Sequence, residues 1–257
     1  MVQIKHEYLK SIDSTNNEIK RRAIKGAKEG QVISAGMQTA GRGRSGHQWE
    51  TPADISIATS LLLRPTMPIE QLHSLTLVAA VAVRRAIEGL YDIETWIKWP
   101  NDVIVHGKKI CGILTEMSAT NGQAEYVVVG IGVNVHQTSF SEELADKAIS
   151  VDMALQEQNP GTQEKGNCEA LTQRIWQEFV LLYEAFCMTQ DLSIVMEEYN
   201  RFLINRNAMV RVLDPQGEWE GIARGINERG ELLVETKEDL RQVDSGEVSV
   251  RGVYGYV

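Results

Sequence analysis

Hydrophobic and polar positions repeat along the chain with two different periods, and these periods predict where helices and strands lie. Apolar residues recur at helical spacing over residues 69–90, and Thr15 and Glu18 have the spacing of a capping box within a shorter predicted helix over residues 11–26. Short apolar runs predict strands over residues 31–37, 55–63, 95–99, 103–105, 110–117 and 126–135. Further helices are predicted over residues 142–148, 169–188 and 192–203, with a polar connection over residues 156–167.

The pattern changes beyond Asn207. Short predicted strands follow one another at residues 210–213, 219–225, 231–235, 241–243 and 248–251, separated by turns that contain glycine. Five short strands in about 50 residues indicate a small β-barrel. We therefore predict a large domain over residues 1–205 and a small C-terminal domain over residues 206–257.

Composition and charge narrow the class of protein. The chain of 257 residues carries 35 acidic and 26 basic side chains, a formal net charge of −9 that argues against a nucleic-acid binder. Its three cysteines (Cys111, Cys168 and Cys187) lie far apart, as expected in a reducing compartment, and its five histidines lack metal-ligand spacing. The N-terminus has no apolar secretion signal, and the longest apolar stretch, residues 75–82, is too short to span a bilayer. We expect a cytoplasmic protein without a DNA or membrane partner and without a metal site of its own.

A glycine-rich loop over residues 41–46 reads GRGRSG and fits the G-x-G-x-x-G pattern of dinucleotide-binding proteins. That fold would need the loop to open a helix, whereas here it leads through Trp49 into a predicted strand. Arg42 and Arg44 can each bind phosphate or carboxylate oxygens with two parallel hydrogen bonds, and the glycines allow a ligand to approach the backbone. The loop is therefore interpreted as an anion-binding loop that orders on its ligand, with a solvated basic loop as the alternative.

Three weaker motifs follow. Residues 98–102 read KWPND, which is typical of a turn that directs Asn101 and Asp102 at one point, although a purely structural turn fits as well. Lys109 stands at the mouth of a predicted strand, where it could neutralise a transferring phosphoryl or acyl group or simply face solvent. Gly130 lies in a predicted buried strand, where glycine weakens packing unless a ligand or a backbone must come close.

Together these motifs resemble biotin protein ligases in order and rough spacing. The motifs are STN at residues 14–16, QTAGRGRSG at 38–46 with Trp49 after it, KWPND at 98–102, KICGIL at 109–114 and GIGVN at 130–134. Residues 221–230, GIARGINERG, resemble the small C-terminal barrel of that family, so the resemblance covers nearly the whole chain. It implies an α+β fold with a mixed central sheet flanked by helices, similar to class II aminoacyl-tRNA synthetases, followed by a small SH3-like β-barrel.

The resemblance also implies an activity. Ligases of this family use ATP and Mg²⁺ to convert biotin to biotinyl-5′-AMP, and they transfer biotin to a lysine of a biotin carboxyl carrier domain. The expected catalytic residues are Lys109, Arg44 and Asp102. The expected substrate-binding residues are Ser14, Thr15, Asn16, Gln38, Gly41, Arg42, Gly43, Arg44, Trp49, Asn101, Lys109, Gly112 and Gly130.

Each of these residues takes its role from the matching family motif. Lys109 would contact the biotin carboxylate and the α-phosphate, and the two arginines would hold the mixed anhydride. Residues 14–16 and Gln38 would hydrogen-bond biotin, Gly112 and Gly130 would leave room for its rings, and residues 137–150 would close over the adenylate. Trp49 would form an apolar wall or simply pack in the core. Asp102 would orient Lys109, accept a proton from the carrier lysine, or only shape a turn.

Two departures and two alternatives accompany the resemblance. His47 stands where the family usually has a third arginine. No helix-turn-helix precedes the catalytic region in this sequence, so we expect a ligase without repressor activity, unless a DNA-binding domain lies outside the sequence. A homodimer is possible, since the family often dimerises. A lipoate ligase or octanoyl transferase would share the fold, and a sensor that only holds biotinyl-5′-AMP would share the site.

Overall fold

The chain folds into a seven-stranded sheet with helices on both faces and a five-stranded sheet near its C-terminus. The computed structural model describes residues 2–214, 217–245 and 249–252. The helices are α1 (Thr15–Ile24), α2 (Leu75–Tyr91), α3 (Val151–Gln158), α4 (Cys168–Thr189) and α5 (Ser193–Phe202). The strands are β1 (Lys5–Leu9), β2 (Gln31–Ala35), β3 (Ser56–Leu63), β4 (Trp96–Lys98), β5 (Asp102–Val105), β6 (Lys108–Thr120), β7 (Gln123–Asn134), β8 (Met209–Asp214), β9 (Gly217–Ile226), β10 (Leu232–Glu235), β11 (Leu240–Val243) and β12 (Ser249–Gly252).

The large sheet is mixed, with the strand order β1-β2-β3-β7-β6-β5-β4. β1 runs parallel to β2, and every other neighbouring pair is antiparallel. With the helices that cover it, this sheet confirms the predicted fold class.

Alternation of side chains along the central strands gives the large sheet two different faces. Val129 and Val133 of β7 point into the main core, which α2 and α4 cover. Val128 points to the opposite face, where it packs with Ile19 of α1 in a smaller cluster. Gly130 lies further along that second face, under Asn16 in the first turn of α1.

The sequence pattern missed β1 because its side chains read KHEYL and lie mostly exposed. The strand forms through backbone pairing with β2, in register from Lys5 opposite Gln31 to Leu9 opposite Ala35. Charged side chains on such an edge discourage pairing with another chain. Apolar periodicity cannot reveal a strand whose side chains bury so little surface.

The helix predicted over residues 142–148 is wrong. That segment forms turns, and the helix of this region, α3, begins at Val151. Ser150 caps it, since the Ser150 hydroxyl accepts a hydrogen bond from N of Met153 at 3.2 Å. The amphipathic-looking residues before Ser150 are instead held by backbone bonds to Lys109.

Two helix starts also differ from their predictions. Thr15 is the first residue of α1 and Ser14 is its N-cap without a side-chain cap bond, so the predicted capping box does not form. The Thr15 hydroxyl donates to Gln38 instead, at 3.1 Å. The predicted helix over residues 69–90 is divided into a 3-10 helix, Ile69–Ser74, and α2.

The C-terminal sheet has the order β11-β10-β9-β8-β12, which confirms the predicted all-β unit. Val248, the first residue of the strand predicted over residues 248–251, lies outside the described residues. Nε1 of Trp99 donates to O of Gly230 at 3.0 Å, and the apolar side chains of this sheet join the main core. The domain boundary near Arg206 stays a prediction, because the two parts share that core.

In the part of the chain that the structure describes, no helix is long and apolar enough to cross a membrane.

Candidate functional site

The site begins with a floor of glycines on the second face of the large sheet. Gly112 of β6 is paired with Gly132 of β7, and Gly130 lies two residues further along. A Cβ atom on Gly130 would lie 2.1 Å from Oδ1 of Asn16, and one on Gly132 would lie 2.3 Å from Cε2 of Trp49. Only glycine therefore lets other groups approach the backbone this closely.

A buried network of polar side chains forms one wall above this floor. Both N and Oγ1 of Thr15 donate to Oε1 of Gln38, at 2.8 and 3.1 Å, and Nε2 of Gln38 donates to Thr51 at 3.1 Å. The Ser60 hydroxyl lies 2.7 Å from Oγ1 of Thr15 and 2.6 Å from Oδ1 of Asn16. The start of α1, the Gln38 loop and β3 thus fix one another around a small polar recess.

Trp49 covers the opposite side of the floor. Its indole lies against Gly132 and close to Gly112, and the ring centroid is 5.6 Å from Nζ of Lys109. The Nε1 atom is buried and has no hydrogen-bond partner among the described residues. Trp49 is not a member of the main core, and its role as an apolar wall for a ligand stays a prediction.

The two loop arginines point in different directions. Nη2 of Arg42 donates to Oδ1 of Asn17 at 2.7 Å and lies 3.3 Å from Oε1 of Glu116. Arg44 is half-buried, and its two terminal nitrogens donate to Oδ1 of Asn101 at 3.3 Å and to O of Ser245 at 2.5 Å. Burial lowers the pKa of Arg44, and the nearby charge of Asp102 opposes that shift.

The glycines of the loop differ in their surroundings. A Cβ atom on Gly41 would lie 2.2 Å from O of Trp49, so Gly41 is needed for the loop to close on itself. Around Gly43 the nearest atom to such a Cβ lies at 3.5 Å, which is ordinary van der Waals contact. His47 is exposed and bonds within the loop through its backbone, with N of Gly43 donating to its O at 2.7 Å.

Lys109 and Asp102 form an ion pair at the end of the floor. Nζ of Lys109 lies 2.6 Å from Oδ1 of Asp102, with the side chains 26% and 13% exposed. A Cβ atom on Gly112 would lie 3.0 Å from both Cε and Nζ of Lys109, so the lysine extends over the floor. A β-bulge between β5 and β6 interrupts the pairing beside Lys109.

The segment expected to close over an adenylate is attached to Lys109 through its backbone. N of Lys109 donates to O of Lys147 at 2.7 Å, and N of Ile149 donates to O of Lys109 at 3.0 Å. Nδ2 of Asn134, at the end of β7, donates to O of Ile149 at 3.2 Å. Movement of this segment would therefore be transmitted directly to the lysine.

Sequence reasoning missed three polar residues that the fold brings to the site. Ser60 stands within the fully buried strand β3. Glu116 occupies a polar position of β6, and Lys98 is paired with Asp102 across β4 and β5. Lys98 belongs to the KWPND motif, so the motif itself was the signal that could have identified it. No local pattern distinguishes Ser60 or Glu116 from ordinary strand residues.

Lys98 makes the stability of the protein depend on pH. Burial lowers its pKa from 10.5 to about 8, the charge of Asp102 opposes this shift, and Lys109 and Arg251 add to it. The folded protein then binds fewer protons than the unfolded chain between about pH 8 and the ordinary lysine pKa, so its free energy of unfolding rises with pH across that window.

We expect Lys98→Met to be more stable than the parent protein near pH 7 and to lose this advantage by pH 10. The upper bound on the change is about 3 kcal/mol, since each pKa unit corresponds to about 1.4 kcal/mol. Denaturant unfolding at both pH values measures it, with Lys10→Met at an exposed position as the control. A stability difference that stays constant between the two pH values would contradict the assignment.

Comparison with known proteins identifies the family to which this chain belongs. A model of the biotin/lipoate A/B protein ligase family matches residues 8–134, and a model of the biotin protein ligase C-terminal domain matches residues 207–251. The bifunctional ligase/repressor BirA of Bacillus spizizenii is 36% identical over 245 residues, which cover 95% of this chain and 73% of that protein. The biotin–[acetyl-CoA-carboxylase] ligase of Mycobacterium tuberculosis is 32% identical over 244 residues, which cover 91% and 85%.

Solved structures extend the likeness to the fold. The biotin protein ligase from Aquifex aeolicus in complex with biotin and ATP matches with a TM-score of 0.82 and 28% identity, covering 96% of this chain and 99% of that one. Sequence and structure thus agree over both the large and the small part of the molecule. The chain belongs to the biotin protein ligase family.

Proposed function

We propose that this ligase activates biotin with ATP as biotinyl-5′-AMP and transfers the biotinyl group to a lysine of a biotin carboxyl carrier domain. The observation that carries the proposal is the Lys109–Asp102 pair at the end of the glycine floor. A ring system bound between the polar wall and Trp49 would place a carboxylate near the Lys109 ammonium. The polar wall of Thr15, Asn16 and Gln38 supplies hydrogen-bonding groups for the opposite, polar side of such a ligand.

The first step joins two anions, and the cations at the end of the floor lower its barrier. A biotin carboxylate oxygen attacks the α-phosphorus of ATP, the bond to the β-phosphate oxygen breaks, and pyrophosphate leaves. Lys109 compensates the negative charge on the carboxylate and the α-phosphate, and Arg42 and Arg44 are the further donors for the phosphate oxygens. Positioning of both reactants by a fixed site contributes in addition.

The second step releases AMP. The neutral amine of the carrier lysine attacks the carbonyl carbon of the mixed anhydride, the bond to the phosphate oxygen breaks, and the attacking nitrogen loses a proton. Asp102 orients Lys109 through their contact of 2.6 Å, and it is our candidate acceptor for that proton. A solvated structural turn at Asp102 is the less favoured alternative, because its side chain is mostly buried.

Mg²⁺, which the family resemblance implies, is proposed to enter with ATP. Among the described residues, no group of three or more His, Cys, Asp or Glu side chains could hold a metal ion. Asp102, the carboxylate beside Lys109, is already in an ion pair. These side chains do not fit a metal centre built by the protein alone, whereas ATP phosphates are ordinary Mg²⁺ ligands.

A strand edge supports the proposals of a carrier partner and of a homodimer. β5 is paired with β6 only up to Gly112. The next residue of β6, Ile113, forms hydrogen bonds with Asn101, which precedes β5. Along residues 115–119 that side of β6 has no strand partner within the described ranges. An edge of this kind can pair with a strand of another molecule.

A mass measurement tests the function against its two alternatives. The protein is mixed with ATP, Mg²⁺, a biotin carboxyl carrier domain and either biotin or lipoate, and the carrier is weighed by mass spectrometry. We expect a biotin adduct. A lipoyl adduct alone would indicate a lipoate ligase, and no adduct on a competent carrier would indicate a sensor of biotinyl-5′-AMP. The match of residues 207–251 to the biotin ligase C-terminal domain favours the biotin ligase.

A further inference from the structure

Glu116 is a carboxylate on the face of the sheet that carries the glycine floor. It lies on β6 four residues after Gly112, and side-chain alternation puts both residues on that face. Its side chain is only 21% exposed. No motif discussed above includes Glu116, and the two reaction steps do not use it.

Three neighbours from two other parts of the chain converge on this carboxylate. Nδ2 of Asn16 donates to Oε2 at 2.8 Å, and Nζ of Lys20 lies 2.5 Å from Oε1. Nη2 of Arg42 lies 3.3 Å from Oε1 and 3.4 Å from Oε2. Burial raises the pKa of Glu116, but the hydrogen bonds and charges of these neighbours outweigh it, and the net shift is downward. Glu116 is thus an ionised group shared by the start of α1 and the arginine loop.

The contact with Asn16 determines which way the Asn16 amide faces. Its nitrogen is directed at Glu116 and at O of Leu114, 3.3 Å away, because both of those groups only accept hydrogen bonds. Its oxygen is consequently turned over Gly130, towards the Ser60 hydroxyl at 2.6 Å. Reversal of the amide would place a nitrogen over the floor and leave an oxygen facing the carboxylate.

The contact with Arg42 is weaker and more exposed. The same nitrogen, Nη2, donates to Oδ1 of Asn17 at 2.7 Å, while its distances to Glu116 are at the limit of a hydrogen bond. The Arg42 side chain is 45% exposed. A phosphate offers the guanidinium two parallel charge-assisted bonds, which compete well against one long contact.

We propose that Glu116 is a positioning residue of the ligase: it fixes the Asn16 amide with its oxygen over the floor, and it is the counter-ion that Arg42 exchanges for the adenylate phosphate. The inference rests on the proposed function. Glu116 therefore contributes to biotin binding through Asn16 and opposes adenylate retention through Arg42. These two contributions have opposite signs, so a single substitution can separate them.

Glu116→Gln and Glu116→Ala provide that separation. Glutamine keeps an oxygen that accepts from Asn16 but removes the charge that attracts Arg42. We expect the KM for biotin to change less than about twofold and the release of biotinyl-5′-AMP to slow by roughly three- to tenfold. Alanine removes the acceptor as well, and we expect the KM for biotin to rise by roughly tenfold or more. Glu125→Gln, at the exposed start of β7, is the matched control for a charge lost from the same hairpin.

The measurements are steady-state KM values for both substrates and the rate at which pre-formed biotinyl-5′-AMP leaves the enzyme after dilution. Slower release should disappear when Arg42→Ala is combined with Glu116→Gln, since the two groups act on one another. Unchanged or faster release in Glu116→Gln would overturn the counter-ion role. An unchanged KM for biotin in a folded Glu116→Ala protein would overturn the positioning role. If Glu116→Ala does not fold, Asn16→Asp is measured instead, because it brings a second carboxylate against Glu116. The KM for biotin is again expected to rise. A parent protein that makes no biotinyl-5′-AMP would refute the proposed function instead.

Discussion

Replacement of Lys109 by alanine is expected to reduce biotin-dependent pyrophosphate release by roughly 10²- to 10³-fold and to leave the fold intact. The loss follows because the Lys109 ammonium extends over Gly112, where the carboxylate and α-phosphate would meet in our proposal. The fold should survive because the Lys109 side chain is 26% exposed and its backbone bonds remain. Asp102 would keep access to water through the space that the lysine leaves.

Lys108→Ala is the matched control for this experiment. Lys108 precedes Lys109 on β6, so strand alternation directs it to the other face. Pyrophosphate release is measured at saturating biotin and ATP, with circular dichroism to check the fold. If the Lys109→Ala variant released pyrophosphate as fast as the Lys108→Ala control, the electrostatic role of Lys109 would be wrong.

Gly130→Val should abolish tight biotin binding, with an affinity loss of about 100-fold or more. A Cβ atom at this position would lie 2.1 Å from Oδ1 of Asn16, so valine would displace the Asn16 amide that covers Gly130. Valine suits a β-strand, and Gly130 is paired on both sides, with Ser60 of β3 and Leu114 of β6. The strand should therefore persist while the recess is filled.

Isothermal titration calorimetry with biotin measures this loss directly. Gly89→Ala is the control, because Gly89 lies in α2 and a Cβ atom there would have no neighbour closer than 3.9 Å. Alanine also favours a helix, so that control should keep its biotin affinity and unfold at the same or a higher temperature. Parent-like biotin binding by a folded Gly130→Val protein would show that the ligand does not use this floor.

The contrast between predicted and observed elements has a physical origin. β3 and β7 were predicted because their side chains bury apolar surface, and that periodicity is visible in the sequence. β1 was missed because backbone pairing with β2 is what forms it. The helix predicted over residues 142–148 was wrong because long-range bonds to Lys109 hold that segment in turns. Contacts between distant parts of the chain leave no local periodic signal.

Some features of the candidate site were predicted from the sequence, and others depend on the fold. The resemblance to the family's motifs is what predicted roles for Lys109, Gly130 and the two loop arginines. That the two arginines diverge, one to Glu116 and one to Asn101 and Ser245, could not be predicted, since it depends on which partners the fold brings near. The assignment of these residues to substrate stays a prediction until the substitutions are measured.

The sequence alone determined the family of this protein, the two-part α+β fold and the chemistry of its motifs, because those depend on residue types and on spacing along the chain. The tertiary structure decided how the motifs are used. It placed Asn16 over Gly130 and Trp49 over Gly132. It also joined residues 147–149 to Lys109 by backbone hydrogen bonds and brought Glu116 next to Asn16. Orientation and charge pairing between residues about 100 positions apart arise only when strands align, since no local preference encodes them.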